Sequence, residues 1–197
     1  DTNLVAATID RLDSYRDIAN PLLLKVYEHE ADDSSKKLNA GLALVANGQP
    51  GDPLILEFLQ ERLLSAAPNQ FGPLIELLRP HQTTVNSAYW KIAKDADEPE
   101  DRRFHAACVL ANLDHQNGYW LDTEFTTFVP AALVLRAPVF IGNYQKLVQP
   151  VSKDLVEPLA LIYFDSSRDT LKRSVSASLL ADFAANNVDI LTELMLA

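Results

Sequence analysis

The residues of this chain whose types and spacing suit chemistry fall into a few small groups. Ser34 and Lys37 have the Ser-x-x-Lys spacing with which acyl-transfer enzymes let a lysine activate a serine. The companion motifs of those enzymes are missing, and serine is a preferred helix cap, so the pair is expected to mark a helix start. His105 and Cys108 would share one helix face, with His115 beyond the helix end. Three ligands so spaced fall short of a zinc set, and no metal or cofactor is expected. His29, between Glu28 and Glu30, lacks the His-Glu-x-x-His pattern of zinc hydrolases and is expected on the surface. Asp182-Phe183-Ala184 imitates the metal-binding motif of kinases, but inside a helix and without the phosphate or catalytic loops. No nucleophile, base and oxyanion donor come together from these residues, so the expectation is a non-enzymatic protein.

Two other groups suit binding. The dibasic pairs Lys36-Lys37, Arg102-Arg103 and Lys172-Arg173 recur along the chain. A row formed by Lys36, Arg102 and Lys172 would grip an acidic or phosphorylated segment. Tyr119 and Trp120 are neighbouring aromatics of the kind that anchor interfaces, with burial of Trp120 in the core as the alternative.

The elements that must position these residues follow from an internal repeat. Each dibasic pair precedes two small residues and a leucine: Ala40-Gly41 and Leu44, Ala106-Ala107 and Leu110, Ser176-Ala177 and Leu180. The interval from Lys36 to Arg102 is followed by one that is four residues longer, from Arg102 to Lys172. Leu12, Leu78 and Val148 keep the register, as do Val26, Ile92 and Ile162. Leu63, Ala67, Pro68, Gly72, Leu77 and Pro80 return at the longer interval as Leu133, Ala137, Pro138, Gly142, Leu147 and Pro150. The lengthening therefore falls between Ala111 and Leu133, most simply at Asn117-Gly118-Tyr119-Trp120.

A recurrence of this period specifies stacked copies of one supersecondary unit. The reading is a single α-solenoid domain over residues 1–197, with copies at about 12–77, 78–147 and 148–197. Each copy reads as two helical hairpins, giving an all-α right-handed superhelix of about 12 helices in antiparallel hairpins. A sample helix runs from Asp52 to Leu64: Asp52 caps, Pro53 takes the first turn, Ile55, Phe58, Leu59 and Leu63 face inward, and Glu57, Gln60 and Glu61 face water. Further helices are expected from about Pro21 to Glu28 and from Ser35 to Ala46. The acidic turns after Glu28, Lys94 and Phe164 place carboxylates at helix N-termini, which the macrodipole favours. Pro80 and Pro150 end the helices before them. Ala40, Ala106 and Ser176 are expected between closely packed helices.

Composition narrows the partners. The chain has 197 residues, 48% of them hydrophobic, which is enough for a continuous core. Seventeen Lys and Arg against 27 Asp and Glu give a net charge of −10, so nucleic-acid phosphate is disfavoured and a basic or neutral partner preferred. A single cysteine, Cys108, leaves no internal disulfide. No apolar run approaches the roughly 20 residues of a membrane span. The sequence starts at Asp1 in mid-repeat, and is expected to be a soluble piece of a longer protein, its compartment left open by the sequence with the cytoplasm favoured.

The strings Lys37–Leu44, Arg103–Leu110 and Arg173–Leu180 resemble the second helix of HEAT repeats. The chain resembles, more narrowly, the HEAT-like helical regions of large bacterial serine/threonine kinase proteins, which often carry a WD40 propeller or a formylglycine-generating-enzyme-like domain. The resemblance implies a HEAT/armadillo-like solenoid, with any kinase activity lying outside this segment. It also implies a ladder in which Lys37, Arg103 and Arg173 pair with a carboxylate of the preceding turn, drawn from Asp33, Asp97 and Asp169, leaving the other basic residue of each pair in solvent. The expected function is a scaffold that docks a protein or peptide, including another domain of the same chain. Self-association is the alternative, through terminal faces such as the stripe of Leu191, Leu194, Met195 and Leu196. A HEAT-like DNA glycosylase is a third reading, against which the net charge argues.

Overall fold

The computed structural model describes residues 15–47, 53–185 and 192. Leu12, Asp52, Leu191, Leu194, Met195 and Leu196 lie outside them. Every regular element among the described residues is helical, α-helix joined by short 3-10 turns, and no strand occurs there. The all-α class is therefore as expected. By its contacts the chain divides into two compact units, Asp1–His81 and Gln82–Ala197.

In the first unit, α1 (Arg16–His29) and α2 (Ser35–Ala46) form a hairpin, followed by α3 (Pro53–Leu64) and α4 (Phe71–Leu78). Helix α1 begins five residues before the expected start at Pro21, which lies inside it. Its ring forfeits one intrahelical N–H bond, but the packing of α1 on α2 carries the helix through. Helix α2 starts where Ser34 places it: the Ser34 hydroxyl oxygen accepts from the Lys36 amide at 3.1 Å. In α3, Ile55, Leu59 and Leu63 are buried, Phe58 and Gln60 are half-buried, and Glu57 and Glu61 are exposed. The core of this unit is Leu44, Leu59, Leu63, Phe71, Ile75 and Leu78.

The second unit holds α5 (Gln82–Lys94), α6 (Glu100–Leu113), α7 (Thr123–Val134), α8 (Pro138–Val148), α9 (Ser152–Phe164) and α10 (Thr170–Phe183). Hairpins α5–α6 and α9–α10 are its closest pairs, while α6 also packs on α7 and α8, and α7 on α9. Helix α6 is the centre: Phe104, the run from Ala106 to Ala111, and Leu113 are all buried. A helix that is apolar nearly all round has to be enclosed by others. Ala40, Ala106 and Ser176 are buried, as expected of small residues at close helix contacts. Pro80 and Pro150 sit in the 3-10 turns Arg79–His81 and Gln149–Val151, so each stops one helix while the next begins directly after it.

Candidate functional site

The dibasic pairs divide by role. The first residue of each pair meets a carboxylate of its own preceding turn: Lys36 Nζ lies 3.5 Å from Glu30, Arg102 Nε 3.0 Å from Glu98, and Lys172 Nζ 3.4 Å from Asp169. Lys36 remains 77% exposed in its side chain. The second residue locks its hairpin. Arg103 Nε donates to the carbonyl of Ala93 at 3.2 Å, and Arg173 Nε to the carbonyl of Tyr163 at 2.7 Å, each ten residues back at the end of the preceding helix. A cation there satisfies a carbonyl that helix termini leave open and meets the negative end of the macrodipole. Lys37 instead pairs with Asp32 at 2.7 Å. The carboxylate ladder implied by the resemblance is thus corrected: Asp33 and Asp97 form no ion pair with these residues, and Asp169 serves Lys172. Asp169 also caps α10 by accepting from the Lys172 amide, which holds its carboxyl below the usual range.

The same basic positions cover aromatic rings. Lys37 Nζ sits 5.4 Å from the centre of the Phe58 ring, and the Arg103 guanidinium 4.3 Å from that of Phe128. The acidic turns also agree: Asp95 accepts from the Asp97 amide and Asp165 from the Ser167 amide, both at 3.0 Å. These are local turn bonds that aspartate forms readily.

The insertion closes as a 3-10 turn, Gly118–Leu121, because Asn117 accepts from the Tyr119 amide at 3.1 Å. Trp120 turns inward and is 1% exposed, whereas Tyr119 is 46% exposed. Of the two readings of Trp120, the structure shows the core plug. Its ring packs edge-on against Trp90 at 5.8 Å and Phe125 at 5.0 Å, and its indole N–H donates to the Asp114 carbonyl at 3.0 Å. Trp90 donates to the Asp114 carboxylate at 2.6 Å. Tyr119 lies against Trp90 of this cluster, with Lys94 Nζ 3.5 Å from its ring centre.

The chemical candidates are tied into the fold. The Ser34 hydroxyl donates to Glu30 at 2.9 Å while its oxygen caps α2. His105 Nε2 lies 2.9 Å from the Tyr144 hydroxyl. Cys108 is fully buried, which pushes its thiol pKa far up; burial likewise raises the Tyr144 hydroxyl to about 12. His29 is exposed, with Nδ1 2.8 Å from the Lys25 carbonyl. Asp182 accepts from Gln145 at 2.8 Å, joining α10 to α8. Among the described residues no group of three or more His, Cys, Asp and Glu is placed to hold a metal, and no helix is long and apolar enough to cross a membrane.

Two features escaped the sequence. Arg136, at the end of α7, bonds Asp101 and Glu100, the latter at 3.2 Å, and lies 4.7 Å above the Phe104 ring. The Arg136 hydrogen bond holds the Asp101 carboxyl below its usual range. The equivalent position in the preceding sequence copy is Ala66, so the repeat register carries no signal for it. The second is an open groove of about 650 Å³ along α7 and α9, bounded by the Gly118–Leu121 turn and the turn at Asp165–Arg168.

The fold and these contacts define an all-helical protein built of hairpins. No family model matches the chain, and neither the curated proteins nor the solved structures contain a match to it.

Proposed function

We propose that this chain is a non-enzymatic helical-repeat scaffold of the HEAT-like kind, a docking or spacer region of a larger signalling protein. The observation that carries this reading is the recurring hairpin lock: Arg103 to Ala93 and Arg173 to Tyr163, at the same ten-residue interval and in helices of matching length. The rings beneath Lys37 and Arg103 are Phe58 and Phe128, which occupy equivalent positions of successive copies in the repeat register. A stack of such hairpins presents an extended surface to a protein or peptide. The test is to pan the immobilised full chain against a library of random 12-residue peptides. Saturable binding by a sequence class supports the reading, and a library that returns no binder refutes it.

Self-association is a second reading, favoured by one surface. Ile18, Leu22 and Val26 are exposed at helical spacing along α1, with Tyr15 exposed at its N-cap. Such a stripe is uncommon on a face that meets only water. Sedimentation of the full chain and of Leu22→Asp decides it: a concentration-dependent dimer that the substitution dissociates supports it, and a monomer throughout removes it.

A further inference from the structure

We infer that the groove between α7 and α9 binds a peptide segment that presents an arginine or lysine beside an apolar side chain. This rests on the docking reading and names its site and partner chemistry. The groove is large enough for several side chains, since ligand sites usually span some 300–1,000 Å³. Its walls carry Leu121, 76% exposed, and Leu161, 69% exposed. These leucines come from the inserted turn and from α9. Together they offer apolar contact at two points of the groove.

The polar lining selects the partner's charge. Thr126 gives its hydroxyl proton to the Asp122 carbonyl at 3.0 Å, and Thr127 to the Thr123 carbonyl at 2.7 Å. A hydroxyl has one proton to donate, so both present only acceptor lone pairs to the groove. Arg168 is engaged by Asp165 at 3.1 Å, and Asp165 is further satisfied by the Ser167 amide and hydroxyl. The charges left to a ligand are then Lys153, Asp154 and Glu157, which make no ion pair among the described residues. Arg168 keeps its terminal N–H groups, but its charge is offset by Asp165, so the charge left in the lining, Lys153 against Asp154 and Glu157, is negative. A guanidinium or ammonium group can satisfy these carboxylates and an acidic partner cannot. The net charge of −10 brings such a segment in and disfavours its opposite.

The experiment uses fluorescein-labelled 12-residue peptides of alternating Leu-Arg, Leu-Glu and Leu-Ser composition, titrated with the full chain and followed by anisotropy in low salt. The Leu-Arg peptide is expected to bind at least tenfold more tightly than the Leu-Glu peptide. Glu157→Lys and, separately, Leu161→Asp are each expected to weaken it at least tenfold. Both replace exposed residues, and unchanged circular dichroism confirms that they fold. A preference for the Leu-Glu peptide overturns the inference, as does Leu-Arg binding that neither substitution changes. In both of those outcomes the docking reading stands, because a peptide has bound elsewhere or with other chemistry. If none of the three peptides binds while library panning yields binders, this groove alone is refuted; if panning also fails, the docking reading falls with it.

Discussion

Replacing Trp120 by alanine tests whether the inserted turn is a core element. The side chain is 1% exposed and is among the largest fully buried in the protein. Truncating a buried Phe or Trp to Ala ordinarily costs about 3–5 kcal/mol, through lost transfer energy and the cavity left behind. Loss of the indole hydrogen bond adds little, because the Asp114 carbonyl keeps a second donor, the Asn117 amide at 3.2 Å. The edge-on contacts with Trp90 and Phe125 are worth about 0.5–1.5 kcal/mol each beyond burial, which places the total at or above the middle of that range. Tyr119→Ala is the internal comparison. That ring is 46% exposed and its main special contact is with Lys94, so about 1 kcal/mol is expected. Urea titration of the full chain, followed by far-ultraviolet circular dichroism, gives both values. With a slope of about 2 kcal/mol/M, the Trp120 variant loses some 2 M in midpoint and the Tyr119 variant about 0.5 M. Equal midpoints for the two variants would refute the assignment of Trp120 to the core.

Ala106→Leu inserts three carbons where no space is exposed and is expected to lower stability by about 1–3 kcal/mol in the same titration, while Lys36→Ala, on a solvated side chain, stays within about 0.5 kcal/mol. Ser176→Ala is expected to be neutral or stabilising, because the Ser176 hydroxyl is buried with no hydrogen-bond partner among the described residues; a loss above about 1 kcal/mol would reveal a partner for it. The Asp101–Arg136 pair predicts a pH effect. A carboxyl whose folded pKa is depressed contributes stability that is present above its ordinary value of 3.8 and is lost as pH falls through the folded value. Arg136→Met should therefore flatten the fall in unfolding midpoint below about pH 4, and an unchanged acid limb would exclude the pair as a contributor.

The positions of the helices were legible because local chemistry and periodicity agreed there. Ser34 capped α2, Asp169 capped α10, and the small residues Ala40, Ala106 and Ser176 were buried as their spacing required. Helix α1 starts at Arg16 and not near Pro21, because tertiary packing overrides one missing N–H. The targets of the basic residues were less legible. A backbone carbonyl has no residue type, so the bonds from Arg103 to Ala93 and Arg173 to Tyr163 leave no mark in sequence, while nearby aspartates attract attention. Arg136 and the α7–α9 groove were hidden for a related reason: both bring together residues from separate helices.

The insertion joins stability to the candidate binding surface. In the sequence offsets Trp90 aligns with Leu24 and Ala160, and Trp120 falls in the stretch between Ala111 and Leu133 across which the offset lengthens by four residues. Both indoles hydrogen-bond Asp114, one to its carboxylate and one to its carbonyl. Trp90 and the Gly118–Leu121 turn are therefore joined through Asp114 and through the contact of the two indoles. Trp120 fills the space beside Trp90 and Phe125, and its burial turns the next residue outward. Trp120 points inward, so Leu121 is left 76% exposed at the mouth of the groove. A flexible loop would offer Leu121 only after an entropic cost of ordering, whereas a turn pinned by a buried tryptophan presents it already placed.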